Sequence, residues 1–117
     1  MKSTSRKLQE VIEYIRVNVD EEIPIRQLAL IFQVVNNEGE TQHKLAPQLG
    51  MSEGTISKHL KMLSVYGERN KEGNMQLKGH GLLEVRPDIY DRKRNAVFTT
   101  EKGKKLVKAL SAILEGE

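Results

Sequence analysis

Two groups of side chains in this sequence have the types and spacing to act on another molecule, and both are suited to binding rather than to making bonds. The first is Ser52, Thr55, Ser57, Lys58 and Lys61. On a helical period these hydroxyls and ammonium groups lie beside or opposite an apolar stripe formed by Ile56, Leu60 and Leu63. The second is the run Arg92, Lys93, Arg94, a concentration of donors with no acceptor of its own, which calls for an anionic partner. Short hydroxylated side chains let a helix come close to base edges in a major groove, while Lys and Arg reach phosphates. A reaction centre is not spelled out. His43, His59 and His80 are scattered, and no paired carboxylates or phosphate-binding glycine loop accompany them. Without cysteine there is no thiol nucleophile, disulfide or redox sensor, and no His cluster reaches metal-ligand spacing. The chain is therefore expected not to be an enzyme and to need neither metal nor cofactor.

The first group must be carried by two short helices. Residues 41–63 read as a helix-turn-helix: Leu45, Ala46 and Leu49 give the first helix an apolar face that a second helix can cross closely. Gly50 admits the positive φ of a sharp turn, and Ser52 is a good N-cap for the helix that follows. Pro47 disagrees with this pattern, since it removes an amide inside a helix, and predicts that the first helix starts late or bends. The second group sits at the tip of a hairpin over residues 82–99. Its apolar strands, Leu82 to Val85 and Ala96 to Thr99, flank the charged connection PDIYDRKRN.

The frame around these units is helical. Leu8, Val11, Ile12, Ile15 and Val19 mark an apolar stripe on a helix over about 5–19. Its partner is either this domain or a second copy. Pro24 suits the first position of a second helix, apolar almost all round from Ile25 to Val35, which should form the buried centre. A last helix starting at Glu101 and spanning 104–115 bears Leu106, Val107, Leu110, Ile113 and Leu114 on one side. Residues 68–80 mix glycine, asparagine and charge and read as a mobile loop, whose Arg69, Lys71 and Lys78 could touch phosphate.

At 117 residues, with 38% hydrophobic, the sequence fits one domain, 1–117, with a modest aliphatic core. Three Tyr, two Phe and no Trp are too few for a base-stacking platform, which argues against single-strand binding. The net charge is +3, but residues 41–103 hold eleven bases against seven acids while residues 1–40 hold five against seven. Positive charge thus gathers on the helix-turn-helix and hairpin, as phosphate binding requires. No apolar run is long enough for a membrane span and the first ten residues lack a secretory core, so a soluble, cytoplasmic protein without membrane contact is expected.

The segments LAPQLGMSEGTISKHLKML and DRKRNAVFTTEKG resemble the helix-turn-helix and the wing signature of the MarR family of transcription regulators. The likeness extends over about residues 24–115. It implies an α+β, mostly α fold: a winged helix-turn-helix with a two- or three-stranded β wing and terminal dimerisation helices. It also implies a sequence-specific double-stranded DNA-binding regulator, a repressor acting as a homodimer. Thr55, Ser57 and Lys58 would face the major groove, helped by Ser52 and Lys61. Arg92, Lys93 and Arg94 would probe the minor groove, and Asp91 would brace the wing. Three departures accompany the likeness. The further C-terminal helix common in the family is missing before Glu117, residues 68–80 look inserted, and Glu53 puts negative charge where phosphates would pass. No residue set marks a pocket for a small-molecule effector. Because folds of this kind also serve as protein-contact modules without DNA binding, that is the alternative reading.

Overall fold

The computed structural model describes residues 1–116, and among these five helices and four strands follow one another. They are α1 (Thr4–Asn18), α2 (Ile25–Asn36), α3 (Gln42–Leu49), α4 (Glu53–Leu63), β1 (Tyr66–Arg69), β2 (Met75–Lys78), β3 (Leu83–Pro87), β4 (Asn95–Thr99) and α5 (Glu101–Glu115). The strands form two separate antiparallel hairpins, β1–β2 and β3–β4. None of the helices is long and apolar enough to cross a membrane.

The core is aliphatic and lies where α2, α3, α4, the base of β3–β4 and α5 meet. Leu30, Ile31 and Val34 of α2 are buried against Leu45 of α3, Ile56, Leu60 and Leu63 of α4, Leu83 and Val97 of the strands, and Leu106 and Leu110 of α5. Each such side chain contributes about 2 kcal/mol by leaving water, far more than a solvent-exposed hydrogen bond, so this junction fixes how the helices cross. α2 contributes to the buried centre as expected but is not buried all round. Ile25 and Phe32 face outward, and the buried Gln27 leaves its Oε1 without a hydrogen-bond partner. Pro24 is the N-cap of α2, one residue earlier than expected.

The turn between α3 and α4 has the chemistry its sequence announces. Thr41 Oγ1 caps α3 by accepting from the Lys44 amide, Gly50 ends it with φ 63°, and Ser52 Oγ caps α4 by accepting from the Thr55 amide. Pro47 neither delays nor stops α3, which runs from Gln42 through it to Leu49. In a helix this short the missing amide removes one bond, the one toward His43, an exposed residue.

Residues 68–80 are the largest departure from expectation. They are not a loop but most of a hairpin, with Gly67 paired to Leu77 and Arg69 to Met75. Its turn is built by one side chain, as Asn70 Oδ1 accepts from the amides of Glu72 and Asn74 while Gly73 takes φ 81°. The strands are four residues long and exposed on both faces, so no alternation of apolar and polar residues signals them.

The terminal helices pack against each other within the chain, and Lys7 Nζ donates to the Leu114 carbonyl at 3.0 Å. The apolar stripe of α1 is divided by this packing: Ile15 is buried and Val11 half-buried, whereas Leu8 and Ile12 remain 50% and 53% exposed. The start of α5 is fixed by Thr100, whose Oγ1 accepts from the Gly103 amide and donates to the Gly81 carbonyl. Gly103 is required there by space. A Cβ on it would stand 2.3 Å from the Leu82 carbonyl oxygen and 2.6 Å from Thr99 Cγ2. Gly103→Ala should therefore force α5 off the sheet and lower unfolding free energy by about 3 kcal/mol in a urea titration; an unchanged midpoint would contradict this close approach.

Candidate nucleic-acid interface

α4 presents its polar side from a capped N-terminus. Ser57, Lys58 and Lys61 are exposed, while Thr55 is half-buried with its Oγ1 accepting from Ser52 Oγ at 2.9 Å. The Ser52 and Thr55 hydroxyls are thus engaged with each other and with the helix end, while Ser57 and Lys58 are exposed further along the helix. Lys61 turns toward the next hairpin, its Nζ 4.8 Å from the centre of the Tyr66 ring. Glu53, whose negative charge is expected close to passing phosphates, has Oε1 3.4 Å from His43 Nδ1 on α3.

The tip of β3–β4 is ordered by its own acids. Asp88 Oδ2 accepts from the Asp91 amide, Asp91 Oδ1 accepts from the Lys93 amide at 3.1 Å, and Asp91 Oδ2 lies 3.8 Å from Arg94 Nε. Backbone bonds from Arg94 to Asp91 and from Asp88 to Arg94 close the tip. Arg92, Lys93 and Arg94 all remain exposed. Beside them stand two residues that no sequence pattern marks, Ile89 and Tyr90, 82% and 90% exposed. Lower down, the Arg86 guanidinium stacks 4.1 Å from the Phe98 ring centre, and Glu84 pairs with Arg86. At the base, Thr41 bridges Ala96, and the Gly39 and Val97 amides donate to Val97 and Glu40 carbonyls, so the segment before α3 adds a short third edge.

Helix and hairpin tip meet. A polar hollow of about 190 Å³ is lined by Gln42 and His43 of α3, Glu53 and Ser57 of α4, and Lys93, Arg94 and Asn95 of the hairpin. Across it Asn95 Nδ2 donates to Gln42 Oε1 at 3.2 Å, and Gln42 Nε2 donates to Ser57 Oγ at 3.1 Å. Gln42 and Asn95 carry no charge and belong to different motifs, so only their proximity in the fold reveals them. The hollow is polar and its rim basic, an arrangement that can receive an anionic backbone. No three His, Asp or Glu side chains among the described residues gather into a metal-binding group.

No protein-family model matches the sequence, and no curated protein matches it either. Solved structures do. MepR of S. aureus in complex with DNA aligns over 95% of this chain and 75% of its own, with TM-score 0.64 at 21% identity. MarR aligns over 95% and 72%, with TM-score 0.60 at 20% identity. The transcriptional repressor CouR, bound to a 23-mer DNA duplex, aligns over 94% and 68%, with TM-score 0.60 at 20% identity. The fold is the MarR-type winged helix. In this fold α3 and α4 form the helix-turn-helix and β3–β4 the wing. The β1–β2 hairpin stands between them in sequence. Of its bases, Arg69 donates to its own turn at Gly73 and Lys78 lies 3.4 Å from Glu68, which leaves Lys71 as the base without such an engagement.

His59 lies on the flank of α4 away from the wing. Burial, and then the charge of Arg26 on α2, lower its pKa below the ordinary imidazole value. Since the folded value is the depressed one, the fold favours the neutral ring. The associated stability is present above the unfolded value of about 6.5 and is lost as pH falls through the folded one. Thermal melts from about pH 7.5 to 5 should therefore show wild type losing more stability on acidification than His59→Gln. Parallel curves would mean that His59 is not held neutral.

Proposed function

We propose that this chain is a sequence-specific double-stranded DNA-binding regulator of transcription, with α4 entering the major groove and the basic wing tip lying on the adjacent minor groove or backbone. The observation that carries this reading is the shared polar hollow, in which the recognition-helix residues Glu53 and Ser57 and the wing residues Lys93 and Arg94 line one space. A duplex strand passing from major to minor groove would run along that line. Ser57 and Lys58, both exposed on α4, are assigned sequence preference, with Ser52 and Thr55 acting chiefly through the helix cap. Arg92, Lys93 and Arg94 are assigned general affinity, and Asp91 the bracing of the tip. Lys61, drawn toward Tyr66, has a lesser part. MepR in complex with DNA and CouR bound to a DNA duplex support the assignment through their fold.

Repression is the proposed mode, because a protein occupying its operator blocks access without further machinery, and CouR is named a repressor. The proposed assembly is a homodimer in the cytoplasm. Leu8 and Ile12 of α1 and Leu114 of α5 are exposed apolar residues on two mutually packed helices, a surface a second copy would cover. A protein-contact role is favoured by a different feature, the exposed Val65, Met75 and Leu77 on or beside β1–β2.

Binding of duplex DNA measured against salt separates these assignments. Replacing Arg92 and Arg94 together by Ala should weaken binding to preferred and random duplexes alike and flatten the slope of log K against log salt by about one for each phosphate no longer neutralised. Lys58→Ala should cost about 1–3 kcal/mol on the preferred duplex and much less on random DNA. A double wing variant that keeps both affinity and slope would refute the wing assignment and favour the protein-contact role.

A further inference from the structure

The outer half of the wing makes, among the described residues, one hydrogen bond to the rest of the chain. Among the described residues, no hydrogen bond or salt bridge ties residues 86–95 to anything outside the wing except the bond from Asn95 to Gln42. Closer to the body, the backbone bonds between Val97 and residues 39 and 40 anchor the strands. Beyond them the hairpin is a lever, and a two-stranded ribbon by itself has little stiffness in water. Gln42 is placed to stop that lever. It is the first residue of α3, directly after the Thr41 cap that bridges Ala96, and it is only half-exposed. Its amide uses both ends, accepting from Asn95 and donating to Ser57. One side chain thereby joins the wing, the first helix of the helix-turn-helix and the recognition helix.

We propose that Gln42 is a positioning residue that locks the wing tip to the recognition helix, so that both meet a duplex as one preorganised surface. The proposal rests on the DNA-binding reading above. Without the lock each binding event must also immobilise the tip, and affinity falls although every charged side chain is still in place. A carboxylate at this position keeps the lock, since it can accept from the Asn95 amide and from the Ser57 hydroxyl, which is free to rotate into the donor role.

The full chain has no cysteine, so spin labels can be placed at will. One goes on Lys44→Cys of α3 and one on Tyr90→Cys of the wing tip, both exposed positions, and the distance distribution between them is measured. In that background Gln42→Ala and Asn95→Ala should each broaden the distribution while leaving the melting midpoint in place, and Gln42→Glu should keep it narrow. On the tightest duplex selected from a random-sequence pool by the unlabelled protein, each alanine variant should bind about fivefold more weakly. The double variant should lose no more than either one, because both act through a single link. Distributions as narrow as the parent's in both alanine variants, or losses on DNA that add, would overturn the proposal. If no duplex binds, the DNA reading fails, while the distance measurement still decides whether Gln42 holds the wing.

Discussion

The polar face of this protein depends on an apolar contact behind it. Leu45 of α3 and Ile56 of α4 are both fully buried over α2, with Leu30 and Val34 beneath them at zero exposure. If that contact loosened, Ser57 and Gln42 would separate and the hollow between helix and wing would have no fixed shape. Gly50 makes the contact possible, because its left-handed backbone turns the chain through the angle that brings the two helices together. The hydrogen bonds seen on the surface sit on this junction and refine it. They are exposed, and each contributes about 1 kcal/mol or less.

The parts legible in the sequence are those whose signals are local and whose partners are near. The cap at Ser52, the glycine turn and the spacing of Ile56, Leu60 and Leu63 all concern neighbours within a few residues, and each turns up where its chemistry places it, while the Thr41 cap is seen only in the structure. The charged tip is local too, its turn closed by hydrogen bonds to Asp88 and Asp91. What escaped the sequence was set by exposure or by distance along the chain. The β1–β2 hairpin has no buried face, so its strands carry no periodic pattern, and the turn that makes it depends on one asparagine side chain. Gln42 and Asn95 are 53 positions apart and of ordinary type. Pro47 misled because a general cost was applied to a helix with little interior to disrupt.

Position also changes the meaning of the charged residues. Glu53, beside His43, is part of the polar lining of the hollow. Arg69 and Lys78, counted in sequence as free bases, are occupied within their own hairpin, whereas Arg92 and Lys93 are held by backbone turns with their charges outward. Basic residues in one chain thus divide into those that shape a hairpin and those left to meet a partner, and a count of charge alone does not separate them.

The central claim is that one continuous face, formed by the start of α4, Gln42 and the wing tip, receives duplex DNA. Amide shift perturbation in the full chain, titrated with a random-sequence duplex at low salt, tests it most directly. The account predicts that the largest changes cluster in residues 42–58 and 88–95, with residues 66–78 nearly unmoved. Changes centred on residues 66–78 or on the outer faces of α1 and α5, or none at all, would contradict it.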